Sequence, residues 1–185
     1  MSIKRKSRLI VAAVSGVTMF SSFAYLQLLF VKCRITAAQY TAAWTSFDAS
    51  KITELNRYLV EKNTMGTYVY AHCIDFVFFI SFGIFFYSLF MMISERMSVK
   101  GKMASAYRVF AWCAVFESVF DGIETSLVLF STHIQGNIPS WLSYIHDPAN
   151  MIKFLFFYGV ILWGVVSLAH GTVILVRRGY AAVCG

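Results

Sequence analysis

The chain has 185 residues, of which 58% are hydrophobic and only 14% are charged, and its mean hydropathy is +0.65. Soluble globular domains carry about 25% charged residues, so the composition excludes an ordinary soluble domain and indicates a lipid environment. The net charge of +7 would suit nucleic acid if the basic residues shared one face, but they stand in short clusters beside apolar runs. We therefore expect a single membrane domain over residues 1–185, with the lipid bilayer and not nucleic acid as its partner.

Four segments are long and apolar enough to cross a bilayer, which takes about 20 residues of helix. They cover residues 9–31, 68–93, 106–131 and 149–176. The sequence therefore predicts an all-α fold, a four-helix transmembrane bundle of a multi-pass membrane protein, which in a bacterium would lie in the inner membrane. A cleaved signal peptide is the alternative interpretation of the first segment, because basic residues precede it and small residues follow it.

The flanking charges predict the orientation, because loops rich in Lys and Arg stay in the cytoplasm. Basic residues precede the first segment, lie between the second and third, and follow the fourth. The loop at 131–148 has neither Lys nor Arg, and the loop at 32–67 mixes basic with acidic residues. Both termini are thus expected in the cytoplasm, and both of these loops outside.

The first external loop carries two helical patterns. Apolar residues recur at spacings of three and four, first at Tyr40, Ala43, Trp44 and Phe47, then at Ile52, Leu55 and Leu59 after the candidate N-cap Ser50. Two short amphipathic helices would explain the spacing and could lie on the outer leaflet, with Tyr40 and Trp44 facing lipid headgroups. An ordinary loop that packs its aromatic side chains on the helix ends is the alternative.

Three acidic residues lie on one face of the third segment. Glu117, Asp121 and Glu124 are spaced i, i+4 and i+7. Inserting them into lipid costs about 7–10 kcal/mol, whereas the strongly apolar residues of the same helix return only about 5 kcal/mol. The acidic face should therefore point into the bundle. If it pointed at lipid instead, the protein would be an accessory subunit that docks a partner helix.

The neighbouring segments supply polar residues at matching depths. His72 and Asp75 lie in the second segment, and Asn150 and Lys153 in the fourth, each pair spaced i, i+3. Counted at 1.5 Å per residue from the outer ends, most of these residues fall in one layer with Asp121 and Glu124, and Glu117 lies below it, near the midplane. The predicted ligand or proton site is His72, Asp75, Glu117, Asp121, Glu124, Asn150 and Lys153.

The acids in this layer outnumber the bases. Four carboxyls face one lysine and one histidine, so at least one carboxyl is expected to be protonated at neutral pH and able to exchange its proton. We therefore predict an outward-facing pocket, rich in carboxylates, that binds a small or lipidic ligand. The structural alternative is a network that only fixes helix packing, with Lys153 paired to Asp121 or Glu124, and Asp75 paired to His72.

Other chemistries have weaker support. A metal site at His72, Asp75, Asp121 and Glu124, with His146 and Asp147 nearby, lacks the usual ligand spacings, and Lys153 would repel a cation; we expect no metal. Acid/base chemistry on a lipid is the enzymatic alternative, by loose analogy with sterol isomerases. Transport would require a homo-oligomer, since four helices are few for a pathway. Which cofactor, if any, the protein uses is not indicated by the sequence.

A short pattern runs through the three later segments: an Asp in the second, Phe-Asp-x-x-Glu in the third and a Lys near the start of the fourth. The residues that carry it are Asp75, Phe120, Asp121, Glu124 and Lys153. The pattern resembles that of an uncharacterised family of small four-span membrane proteins, in which Asn follows the Glu; here that position is Thr125. The resemblance implies that these residues act together, without implying an activity.

Two further residue types have simple interpretations. Cys33 and Cys73 are both expected near the outer side, where a disulfide between them is an option, although isolated cysteines in membrane proteins are more often inert. His133 and His146 fall in the second external loop, where we expect solvated side chains.

Overall fold

The computed structural model describes residues 3–96, 102–134 and 136–184, with only the backbone for residues 3–5, 96, 168 and 170–184. The described part consists of six helices and contains no strand. These helices are α1 (Ile3–Cys33), α2 (Ala37–Thr45), α3 (Ala49–Glu61), α4 (Met65–Arg96), α5 (Lys102–Thr132) and α6 (Ser140–Cys184). The prediction of an all-α fold is confirmed.

Three helices are long and apolar enough to cross a membrane. The qualifying stretches are Lys6–Cys33 in α1, Met65–Glu95 in α4 and Ser140–Ser167 in α6. With 31 residues α5 is equally long, but its ionisable residues keep it out of this group, and a fourth span stays a prediction. The chain is therefore a helical protein with the character of a membrane protein.

The long helices pack in a row in chain order: α1 on α4, α4 on α5, and α5 on α6. Neighbours run antiparallel. Arg8 near the start of α1 pairs with Glu95 near the end of α4, and Phe110 early in α5 stacks on Trp163 late in the described part of α6, with ring centroids 4.6 Å apart. Among the described residues α1 and α6 form no comparable interface, so the bundle has an open seam between them.

The segment between α1 and α4 forms a helical lid. Thr36 and Gln39 make a reciprocal capping box at the start of α2. Asp48, and not Ser50 as predicted, caps α3; its side chain accepts a hydrogen bond from Ser50 N at 2.9 Å. The hydrogen bonds from Ser50 hold the pKa of Asp48 below its ordinary value. The two predicted short helices are confirmed.

The lid packs its apolar face on the bundle. Ile52, Leu55 and Leu59 of α3 are buried in one core cluster with Val128 of α5 and Leu142 of α6. Trp44 belongs to the same cluster and is fully buried, so the prediction that Trp44 faces lipid headgroups was wrong. Its indole gains more by packing on the helix ends than at a membrane surface, because the whole ring is removed from contact with solvent.

The last helix begins nine residues before the predicted span, at Ser140 instead of 149. Pro148 lies inside it; a proline removes one backbone hydrogen bond and usually ends a helix. Here the preceding turn is kept because His146 and Asp147 are buried against other elements. The loop between α5 and α6 is therefore short, and His146 lies in a helix.

The cysteines do not form a bridge. Cys33 is free and buried beneath the lid, and Cys73 is free and exposed on α4. Cys33 instead fills the core as a small apolar side chain within the first cluster. The optional disulfide is absent.

The contact between α4 and α5 yields a first prediction. A Cβ at Gly83 would collide with the Ser118 side chain and lie 3.2 Å from the Ala114 carbonyl oxygen. Ser118 Oγ donates to Phe79 O across the interface, over 2.7 Å. We expect Gly83→Ala to separate the helices and lower the free energy of unfolding by about 1–3 kcal/mol. Thermal unfolding in detergent measures this.

Gly159→Ala is the matched control for Gly83→Ala. Gly159 also lies inside a long helix, but a Cβ there would meet only Phe110, at an ordinary contact distance of 3.9 Å. An equal loss in both variants would show that the effect comes from glycine itself and not from the close approach of α4 and α5.

Candidate functional site

A buried ion-pair cluster joins α5 to α6. Lys153 Nζ lies 2.8 Å from Asp121 Oδ1 and 2.8 Å from Glu124 Oε2. The Asp121 and Glu124 side chains are only 5% and 1% exposed. Because residues three and four apart share a helix face, both carboxylates of α5 reach one ammonium. The acidic face therefore points inward, which argues against a docking face for a partner helix.

Asp75 of α4 completes the cluster. One oxygen each of Asp75, Asp121 and Glu124 lies within 4.8 Å of the others. Asp75 Oδ2 accepts a hydrogen bond from Thr125 Oγ1 at 3.1 Å. The carboxyls predicted to share one layer thus meet in the interior, and three helices contribute to the cluster.

A second chain of contacts extends from Glu124 towards the lid. Glu124 Oε1 lies 3.1 Å from His146 Nε2, and His146 Nδ1 lies 3.0 Å from Asp147 Oδ1. Asp147 Oδ2 accepts a hydrogen bond from Phe47 N at 2.6 Å. Each imidazole contact needs a proton between nitrogen and oxygen, so these three side chains share at least two protons.

His146 and Asp147 join the polar network although the predicted ligand or proton site did not include them. Both are fully buried, and the prediction of a solvated His146 was wrong because α6 starts earlier than expected. A usable signal existed: His146, Asn150 and Lys153 are spaced i, i+4 and i+7, the same spacing as the acids of α5. Matching polar faces on two neighbouring helices are typical of side chains that pair.

His72 lies beside the cluster without bonding to it. Its ring is fully buried, and neither ring nitrogen has a hydrogen-bond partner among the described residues. Nδ1 is 3.9 Å from Asp75 Oδ2, which is too far for a hydrogen bond. The ring packs edge-on against Tyr68 and Phe30. Asp75 and His72 therefore lie within ion-pair distance, as the predicted pairing requires, but the hydrogen bond to Asp75 comes from Thr125.

Asn150 serves the lid and not the cluster. Asn150 Nδ2 donates to Trp44 O at 3.0 Å, and the Trp44 ring lies 4.2 Å from the His146 ring. Among the described residues Asn150 forms no hydrogen bond to the carboxyls, and it does not line the cavity. It positions the lid over them.

Glu117 lies one turn below the cluster, as its spacing predicted. Its side chain is almost fully buried. Its only polar side-chain contact within hydrogen-bond distance among the described residues is Ser118 Oγ at 3.4 Å, and the Ser118 proton is given to Phe79 O at 2.7 Å. No basic side chain of the described part pairs with it. A buried carboxyl without a cation lowers the free energy of unfolding, so stability alone does not explain a Glu at position 117.

These groups meet a cavity of about 610 Å³ at the seam between α1 and α6. Four ionisable residues line its inner part: Asp75, Glu117, Asp121 and Lys153. Apolar and aromatic residues line most of the rest: Phe23, Leu26, Phe30, Val31, Ile35, Ala37, Tyr40, Phe78, Phe154 and Phe157. The arrangement resembles ligand sites in general, where apolar walls surround a few polar groups.

The three clustered carboxyls also have the spacing of a metal-binding group. Lys153, however, already places its ammonium at two of them, so a metal ion would have to displace a tethered cation. The donor set fits an ammonium better than a metal ion, and the expectation of no resident metal stays a prediction.

Comparison with known proteins finds no match: no family model, no curated protein and no solved structure resembles the chain. The resemblance to the four-span family therefore rests on its motif residues alone. The site must be interpreted from its own chemistry.

The ion-pair cluster yields a second prediction. Lys153→Met leaves Asp121 and Glu124 buried without their cation, and we expect a loss of about 3–5 kcal/mol in the free energy of unfolding. The triple variant that adds Asp121→Asn and Glu124→Gln removes both charges and should recover most of the loss. Thermal unfolding in detergent compares the three proteins. If the triple variant is no more stable than Lys153→Met, charge burial is not the cause.

Proposed function

We propose that the protein is a multi-pass membrane protein that binds a small or lipidic amphiphile in the cavity between α1 and α6, with proton exchange at the carboxyls of the cavity. One observation carries this proposal: a cavity of about 610 Å³ has apolar walls and, at its inner end, the residues Asp75, Glu117, Asp121 and Lys153. Ligand pockets of about 300–1,000 Å³ with few polar groups are the usual form of such sites.

The seam between α1 and α6 provides the route of entry. Phe23 of α1 and Phe154 of α6 line the cavity and are also exposed on the outer surface, at 47% and 39%. In a bilayer this opening faces acyl chains. An apolar ligand then reaches the cavity sideways from the leaflet, and its polar end meets the carboxyls.

The surface of α5 supports a fourth span. Its three acids point inward and are buried, whereas Val109, Trp112, Phe116 and others on the opposite face are exposed. Such a helix can stand in lipid although its overall composition is too polar, because lipid meets only the apolar face. This arrangement supports the proposal of a four-helix transmembrane bundle.

The orientation proposed from the sequence puts the lid outside and both termini in the cytoplasm. Arg8 and Glu95 mark the end of the bundle near the basic clusters, and α2 and α3 lie at the opposite end, where few basic residues flank the spans. The cavity then opens in the outer half of the membrane.

Charge balance supports proton exchange. The interior holds five carboxyls, at Asp75, Glu117, Asp121, Glu124 and Asp147, and three bases, at His72, His146 and Lys153. Even with every base charged, two carboxyls lack a cation. Isolated buried charges are so costly that such groups take up protons, and those protons are available for exchange when a ligand arrives.

The competing proposal is a structural subunit whose charges only fix helix packing. Glu117 argues against it, because it pairs with no cation in the described part yet lies at the cavity. We expect Glu117→Gln to leave the melting temperature unchanged or to raise it, since the amide is cheaper to bury than the acid. Differential scanning fluorimetry of the purified protein tests this, and a clear drop in melting temperature would favour the structural role.

Ligand binding itself is tested by filling the cavity. Gln27 of α1 lines the cavity, and we expect Gln27→Trp to reduce the amount of co-purifying lipid at least tenfold, measured by mass spectrometry of solvent extracts. Leu28 is the next residue, 61% exposed and outside the cavity, so Leu28→Trp is the matched control. Equal lipid content in both variants would contradict binding in this cavity.

A further inference from the structure

We infer that the polar end of the ligand is a protonated amine. This inference rests on the proposed function, because it assigns a chemical class to the ligand of the same cavity.

Two of the three N–H donors of Lys153 are used by the protein. Its ammonium lies at hydrogen-bond distance from both Asp121 and Glu124, and it lies 5.2 Å from the centroid of the Phe154 ring. An anionic headgroup would have to compete with two carboxylates for this cation while lying near Asp75 and Glu117. The cavity therefore disfavours phosphate and carboxylate headgroups.

Asp75 and Glu117 are the groups left for a ligand. Both line the cavity. Glu117 pairs with no basic side chain of the described part, and the nearest basic group to Asp75 is the His72 ring, 3.9 Å away and not hydrogen-bonded to it. Asp75 accepts one hydrogen bond, from Thr125, and Glu117 lies 3.4 Å from Ser118 Oγ, whose proton is given to Phe79 O. Each carboxyl thus retains an oxygen without a partner among the described residues.

Glu117 is the residue that distinguishes this cluster from a purely structural network of acids. Its residue exposure is 1%, so its carboxyl has been removed from solvent without any cation to compensate. Glu117 lines the cavity, so a ligand in the cavity can reach its carboxyl. A neutral amine placed there would take the proton of the Glu117 carboxyl, and the ammonium so formed would donate to the carboxylate, as Lys153 does for its own two acids.

The aromatic walls suit the same headgroup. Tyr40, Phe78 and Phe157 line the cavity along with the acids, and the contact of Lys153 with Phe154 shows that an ammonium already rests near a ring in this environment. Aromatic faces attract cations, more strongly when both are desolvated. An inorganic cation would need several oxygen ligands, whereas these walls are mostly hydrocarbon.

The experiment uses a photoactivatable C16 alkylamine with a diazirine in its chain, the N-acetyl amide of the same compound and a chain-matched fatty acid. The full-length protein is reconstituted in phosphatidylcholine nanodiscs, and photolabelling is quantified by mass spectrometry. We expect the amine to label the protein at least tenfold more than the amide or the fatty acid. Glu117→Gln should reduce amine labelling about tenfold, and Glu54→Gln, which removes an exposed acid of α3 far from the cavity, should not.

The outcomes separate the two proposals. Equal labelling by amine and amide, sensitive to Gln27→Trp but not to Glu117→Gln, would overturn the amine and keep the cavity as a binding site. Preferential labelling by the fatty acid would also overturn the amine and would assign Lys153 to an anionic ligand. If Gln27→Trp changes the labelling by none of the three probes, both the amine and the proposed function fail.

Discussion

The ammonium of Lys153, shared between Asp121 and Glu124, is the interaction on which the rest of the structure depends. Without it, α5 would bring uncompensated acids into a low-dielectric interior, and its burial between α4 and α6 would be unfavourable. With this interaction, α5 and α6 are fixed in one register relative to each other. Glu124 then has a second oxygen left, and that oxygen reaches His146.

From this pair the polar interior spreads in two directions. Towards the lid, His146 contacts Asp147, and Asp147 accepts a hydrogen bond from the backbone N–H of Phe47. Towards the seam, Asp75 and Glu117 lie at the cavity without cations of their own. The first branch is well satisfied and serves structure, whereas the second is poorly satisfied. Poorly satisfied buried groups are where sites for ligands are usually found.

Sequence reasoning located the acids of α5 and Lys153 because helical periodicity fixes which residues share a face, and because charge in an apolar segment is costly. It failed where long-range packing decided the outcome. Because a proline usually ends a helix, the residues before Pro148 were assigned to a loop, and His146 was predicted to be solvated. In the structure these residues form the first turns of α6. The depth of Asn150 and His72 in the bundle could be counted from the sequence, but their partners could not. Asn150 donates to Trp44 O, and His72 has no hydrogen-bond partner among the described residues.

The backbone at Phe47 has a further consequence. Its φ is 55°, a left-handed conformation that a residue other than glycine adopts only at a cost, and its N–H is held by Asp147. Because Asp147 shares the His146 ring with Glu124, the backbone at Phe47 and the ion-pair cluster are joined by one set of contacts. Linkage of this kind is reciprocal. Whatever changes the charge at Glu124 also changes how strongly Asp147 holds the strained backbone at Phe47, and the strength of that hold in turn affects the charge at Glu124.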